Sequence, residues 1–278
     1  MPCARFLFPV LSATLLAGCS LSIDSTDVFR PQAVPGDRAP LALLGEAELS
    51  AETGATFRHE VLELGGQRIA VTEARRPGAS AVFLHCGGNA SDRPSEGAFY
   101  ARKLLPLGDA LLWDYPGYGD SAGTPDAASI EAAGGDLLQW AERRAAGRPL
   151  ILWGHSLGGF VCAQLASRSD AVDAVVLEAT ARNVDEVAKA WKPWWLPARI
   201  RPDASLRTFD TATALKNFPG PVVIIGAERD GVLPVELHRS LADALPEAEY
   251  VEVADGNHYT AGPSPEARAA VERMLNGL

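Results

Sequence analysis

Cysteine is scarce: the 278 residues contain four, with no CxxC pair and no Cys/His spacing. That pattern offers neither a disulfide framework nor a structural zinc site. No self-similarity recurs at solenoid or propeller periods. Basic charge is in deficit, since 25 Lys+Arg against 35 Asp+Glu leave a formal charge of −10. The deficit speaks against nucleic-acid binding, which needs a concentrated basic face, and gives no overall attraction to an anionic membrane. Histidine is limited to five residues, so few side chains can serve as a base near neutral pH. What remains is 47% apolar and 22% charged. A chain of this length buries about three-quarters of its unfolded surface, so one globular domain is expected.

The N-terminus departs from this composition. Residues 1–18 hold a single charge, Arg5, followed by the apolar run Phe6-Leu7-Phe8-Pro9-Val10-Leu11 and the small residues Ala17 and Gly18. The run is too short to span a bilayer, which takes roughly 20 apolar residues, and reads as a secretory signal. Leu16-Ala17-Gly18-Cys19 resembles the lipobox of bacterial lipoprotein signals. The resemblance implies a signal peptide over 1–18, acylation of Cys19, and a membrane partner through that lipid anchor. With Ser20 next, it implies a bacterial cell-envelope protein on the outer membrane facing the periplasm. Residues 19–55, with Pro31, Pro35, Gly36 and Pro40 and no sustained periodicity, read as a tether.

Downstream, short β-branched runs alternate with longer Ala/Leu/Glu segments. The runs lie at 80–85, 109–114, 149–153, 174–178, 221–225 and 249–253, and several are apolar on both faces, as strands covered by helices on both sides must be. Helices are expected at about 92–105, 126–146, 157–168, 234–245 and 264–277. The alternation predicts an α/β fold, a mainly parallel sheet flanked by helices. Residues 56–64 and 68–75, joined through Gly65-Gly66, predict an antiparallel hairpin leading into it.

Ligands of such sheets sit beyond the carboxyl ends of the strands. After Trp153 comes Gly154-His155-Ser156-Leu157-Gly158, a G-x-S-x-G whose glycines allow a sharp strand-to-helix turn with an exposed serine. Gly119-Asp120-Ser121-Ala122-Gly123 fits the same pattern, but Pro116 and Pro125 break the chain around it, so Ser156 is the candidate nucleophile. Gly117-x-Gly119-x-x-Ala122 nearly matches a dinucleotide fingerprint but opens no helix, and reads as a turn. A base is drawn from the five histidines. His59 lies in the hairpin, His85 ends a strand, His155 belongs to the serine turn, and His238 falls in the middle of a predicted surface helix. His258, in the loop after the last strand, is the candidate. The orienting acid should follow another late strand, where Asp230 is preferred over Glu228; Asp255 is too close to His258 along the chain.

The order Ser156, Asp230, His258 is that of α/β-hydrolases, and from about residue 56 to the C-terminus the chain resembles that family. Asp114-Tyr115-Pro116-Gly117-Tyr118-Gly119-Asp120-Ser121 is similar to the D-x-x-G-x-G-x-S stretch of many members, a structural loop. The likeness is greatest to compact membrane-associated serine hydrolases, depalmitoylase-like or of serine-aminopeptidase type. Their histidine-glycine-asparagine-alanine loop corresponds to His85-Cys86-Gly87-Gly88-Asn89-Ala90, one residue longer. The resemblance implies an α/β-hydrolase domain over 56–278 and cleavage of an acyl ester or thioester through an acyl-enzyme. The oxyanion would be held by the N–H groups of Leu157 and Asn89. Metals and organic cofactors are not implied. Peptidase chemistry on the same triad is the alternative, and a non-catalytic binding module a more distant one. Cys86 and Cys162 read either as a disulfide or as buried thiols. An insert at about 184–218 suggests a small lid, whose Trp191, Trp194 and Trp195 are expected to pack it onto the sheet, or else to line an acyl pocket or meet a bilayer.

Overall fold

The computed structural model describes residues 20–32 and 41–278. The expected signal peptide and Cys19 lie outside the described residues. Ten strands are present among them: β1 (Ser20–Ile23), β2 (Thr56–Leu64), β3 (Gln67–Arg75), β4 (Val82–Cys86), β5 (Asp109–Trp113), β6 (Leu150–His155), β7 (Ala174–Glu178), β8 (Arg199–Pro202), β9 (Val222–Ala227) and β10 (Glu249–Val253). Eight of them form one sheet in the order β10-β9-β7-β6-β4-β5-β3-β2. From β4 to β10 all pairings in it are parallel, and β3 runs antiparallel to both β5 and β2.

The buried strands explain why the sequence was readable. Every residue of β4, β5, β6 and β7 is buried, so each strand needs apolar side chains on both faces. One face carries α4 (Ala127–Ala145), α5 (Leu157–Ala166) and α8 (Val235–Ala244), through Ile130, Leu137, Phe160 and Leu241. The other carries α3 (Arg93–Leu104) and α9 (Pro265–Asn276), through Ala101, Leu104, Ala270 and Val271. Side-chain caps start the helices where expected. Asp92 accepts from the Ser95 N–H at 2.8 Å, Asp126 from Ser129 at 2.7 Å, and Ser264 from Ala267 at 3.1 Å. The β2–β3 hairpin turns on Gly65 and Gly66, both at positive φ, with Leu64 paired to Gln67.

Two expectations are corrected. The stretch 19–55 was read as a tether, but its described part is structured. It contains β1, α1 (Ser25–Val28) and α2 (Glu46–Thr53), and it buries Phe29, Leu43 and Leu49. These elements are too short to show periodicity, and β1 pairs only with β8, far away in sequence. The tryptophans of the insert do not pack onto the sheet. The insert, with α6 (Val184–Trp191), β8 and α7 (Thr211–Leu215), buries Val184, Val187, Leu206, Phe209 and Leu215 instead. Phe209 stands edge-on to Phe29 at 6.3 Å and lies 5.8 Å from Phe160. Trp191, Trp194 and Trp195 are 53%, 93% and 66% exposed. Cys86 and Cys162 are buried free thiols. Among the described residues, no helix is long and apolar enough to cross a membrane.

Candidate active site

The turn from β6 into α5 lifts Ser156 into an unusual backbone conformation, φ 54° and ψ −117°. Such a conformation costs about 1–3 kcal/mol and persists only where neighbours enforce it. Here they do, by close approach. A Cβ on Gly154 would lie 2.3 Å from the Gly158 carbonyl oxygen, and one on Gly158 would lie 1.9 Å from that of Cys86. The Ser156 N–H donates to the Glu178 carbonyl at 2.9 Å, anchoring the turn to β7.

The loop after β4 passes over this turn. A Cβ on Gly88 would come within 3.4 Å of Ser156 Cβ and 3.0 Å of His155 Nδ1. The Asn89 side chain is fully engaged in holding the loop. Its Oδ1 accepts from the Arg30 N–H at 3.0 Å and from Tyr118 Oη at 2.9 Å, and its Nδ2 donates to the Val28 carbonyl at 2.6 Å. The backbone N–H of Asn89 and that of Leu157, at the start of α5, have no hydrogen-bond partner among the described residues. Leu157 follows Ser156 directly, and Asn89 follows Gly88, the residue whose backbone approaches Ser156.

Asp230 and His258 are brought together after β9 and β10, with His258 Nδ1 2.7 Å from Asp230 Oδ2. The Asp230 carboxylate is fully buried. Its Oδ1 accepts from the N–H groups of Val232 and Leu233 at 2.7 and 2.8 Å. Burial pushes this carboxyl up, but the hydrogen bond and charge of His258 and the two amides outweigh it, and the net shift is downward. Asp230 is therefore ionised at neutral pH. His258 is seated against the serine turn, its carbonyl accepting from His155 Nε2 at 2.7 Å and the two rings 4.9 Å apart. No hydrogen bond joins Ser156 Oγ to His258 among the described residues. Such contacts commonly close only with substrate bound.

The other candidates lie elsewhere. Glu228 is exposed, and Asp255 pairs with Arg229 on the surface. Ser121 donates to the Asp114 carbonyl and accepts from Ala70 N–H, both at 2.9 Å, a structural role. His59 bonds Thr72 and Glu46 in the hairpin. A broad depression of about 690 Å³, bordered by Arg182, Lys216, Glu236 and Asp243, includes none of Ser156, Asp230 or His258. No group of three or more His, Cys, Asp or Glu among the described residues is arranged to hold a metal ion.

Three supporting groups were not foreseen. His238 is not on the surface: it is fully buried, its Nδ1 accepts from the Ala227 N–H at 3.2 Å, and its Nε2 lies 3.5 Å from Asp230 Oδ2. Its inward face was legible from Leu237, His238 and Leu241, one apolar stripe of α8. His155 is neutral at physiological pH, since burial pulls it down to about 4. Glu178, buried behind the turn, binds Lys103 Nζ at 2.5 Å, Trp153 Nε1 at 2.6 Å and the Gly262 N–H at 3.1 Å. Burial alone would raise its carboxyl, but the Lys103 ammonium brings it below the usual range. No local motif announces such a network, because its members are scattered from 103 to 262.

The family profile described as alpha/beta hydrolase fold matches residues 82–220. The chain belongs to the α/β-hydrolase family. It is 32% identical over 178 residues to the lysophosphatidylserine lipase ABHD12 of Danio rerio, a match covering 58% of this chain and 46% of that protein. It thus spans less than half the length of that relative. An uncharacterized protein of Mycobacterium tuberculosis is 28% identical over 232 residues, covering 82% of this chain and 78% of its own. Among solved structures, the Pyrococcus furiosus esterase Pf2001 superposes with a TM-score of 0.66 at 16% identity, covering 90% of this chain and 98% of that one.

Proposed function

We propose that the protein is a serine hydrolase that cleaves the ester or thioester bond of an acyl substrate. The observation that carries the reading is the Asp230–His258 hydrogen bond, with His258 seated against the turn that holds Ser156 in a strained conformation. Names of relatives and structural neighbours, a lipase and an esterase, agree in reaction class. In this reading Ser156 Oγ attacks the acyl carbonyl and His258 Nε2 takes its proton. Asp230 fixes the imidazole with its proton on Nδ1 and stabilises the imidazolium that forms. The Leu157 and Asn89 N–H groups receive the developing oxyanion, each contributing about 3 kcal/mol to lowering the barrier. His258 then protonates the leaving group, and water, activated by the same histidine, releases the acyl group and restores Ser156.

In the same reading, Cys19 is acylated and becomes the first residue of the mature chain, residues 1–18 being removed. The enzyme is then held on the outer membrane of a bacterial envelope, facing the periplasm.

The deciding experiment pairs fluorophosphonate labelling with turnover of a p-nitrophenyl acyl-length series and of aminoacyl-nitroanilides. Labelling lost in Ser156→Ala, with turnover of esters only, supports the proposal. Preferential turnover of the anilides would assign a peptidase instead, and absence of both labelling and turnover a binding module.

A further inference from the structure

We propose that residues 189–202 form a docking face for an anionic lipid bilayer, set beside the active site and beside the point where the N-terminal strand enters the fold. The proposal takes from the reading above what the docked site acts on and, for its third support, the acyl anchor at Cys19.

The first support is the contrast among tryptophans. Trp113, Trp140 and Trp153 are buried, whereas Trp191, Trp194 and Trp195 project outward together. Tryptophan favours the interface between water and hydrocarbon, where its ring is buried and its N–H stays hydrated. The second is local charge. Residues 189–202 contain Lys189, Lys192, Arg199 and Arg201 and no acidic residue, in a chain of formal charge −10. None of these four has an ion-pair partner among the described residues. An anionic surface therefore repels most of this protein and attracts this segment, which selects one orientation.

The third support is topology. β1 runs parallel to β8, with Ser20 paired to Arg199. The chain preceding Ser20 therefore enters at the end of β8 that receives Ala198 from the tryptophan segment. An acyl anchor on Cys19 would be attached at that same face. A basic patch adds electrostatic attraction to what acyl chains contribute to membrane association. The fourth is proximity to the site: Trp191 Nε1 donates to the Val232 carbonyl at 2.8 Å, and the Val232 N–H donates to Asp230 at 2.7 Å. Tyr259, next to His258, is half exposed. Docking by this face would present the catalytic loops to the lipid surface.

The test uses the full chain with vesicles of phosphatidylcholine alone or with about 30% phosphatidylglycerol, each with and without brominated acyl chains. Bromolipid quenching reports tryptophan insertion, not mere attachment through an anchor. Quenching is expected to be several-fold stronger in the anionic vesicles. It should fall to near the level of non-brominated controls in Trp194→Phe/Trp195→Phe, and lose its dependence on phosphatidylglycerol in Lys192→Glu/Arg201→Glu. Both double variants should keep p-nitrophenyl acetate turnover within about twofold. Quenching that is absent while the protein cosediments would overturn the proposal, as would equal quenching in neutral vesicles, or shielding of these tryptophans by self-association without lipid. Loss of turnover in every form with quenching intact would count against the hydrolase reading alone.

Discussion

His238 and Asp230 meet inside the fold, with His238 Nε2 3.5 Å from the same Oδ2 that accepts the His258 hydrogen bond. Because Nδ1 accepts the Ala227 N–H, the proton of neutral His238 is on Nε2, which lies near the carboxylate without a hydrogen bond to it. Asp230 is thus approached by two histidines, one in the site and one behind it.

This arrangement has a pH signature. Burial lowers both His155 and His238 to about 4, against about 6.5 unfolded. Between those values the unfolded chain holds more protons, so stability falls as pH drops from 6.5 toward 4. Asp114, raised to about 6 by burial despite Arg93, has the opposite sign, its contribution fading as pH rises from about 4 to 6. His85, which burial also pulls well below its ordinary value, adds to the two, and three histidines against one aspartate leave a net loss on acidification. His238→Asn, which keeps an acceptor for Ala227, should reduce the slope of unfolding free energy between pH 5 and 6 by about 1 kcal/mol per pH unit. Urea titrations at a series of pH values measure it, and an unchanged slope would show that His238 titrates normally.

Ser156 stores strain. At most positions glycine is less stable than alanine by roughly 0.5–1 kcal/mol. At φ 54°, ψ −117° the order should invert, with Ser156→Gly more stable than Ser156→Ala by about 1 kcal/mol, while both lack turnover. Thermal and urea unfolding of the pair decide it.

Gly88 is set by clearance. Gly88→Ala places a methyl 3.0 Å from His155 Nδ1 and 3.4 Å from Ser156 Cβ, so the loop carrying Asn89 must shift by a few tenths of an ångström. In the proposed mechanism a displaced Asn89 N–H should lower kcat by about 10–100-fold with little change in KM or melting temperature. A variant with full kcat would show that the second donor comes from elsewhere.

Glu178 and Lys103 form a buried pair, so removing one charge strands the other. Glu178→Gln should destabilise by about 3–5 kcal/mol, and the double variant Lys103→Met/Glu178→Gln by clearly less, because no uncompensated ammonium remains. Equilibrium unfolding of the two single variants and the double one reads the coupling directly.

The central strands and most helices were legible because their causes are local. Runs such as 174–178 are apolar on both faces, and Asp92, Asp126 and Ser264 stand one residue before their helices. Ser156, Asp230 and His258 are selected by position after three strands, and the structure brings the last two into contact. What escaped depends on contacts between distant segments. The four-residue strands β1 and β8 exist only through each other. The tryptophans of the insert carry no local sign of direction, and the insert buries Phe209 and Leu206 in their place. Overall negative charge likewise concealed the basic run within 189–202.

The clamp on Asn89 has a consequence for when the site becomes competent. Its side chain is held by Val28 and Arg30 from the start of the fold and by Tyr118 from the middle, across sequence separations of 61, 59 and 29 residues. The segment carrying Val28 and Arg30 has nothing to hold until the sheet behind Asn89 and Tyr118 exists. Non-local closures of this kind come late in folding. A partly folded chain would therefore carry Ser156, Asp230 and His258 without a finished loop at Asn89, and any chemistry of the site would be timed to the completion of folding.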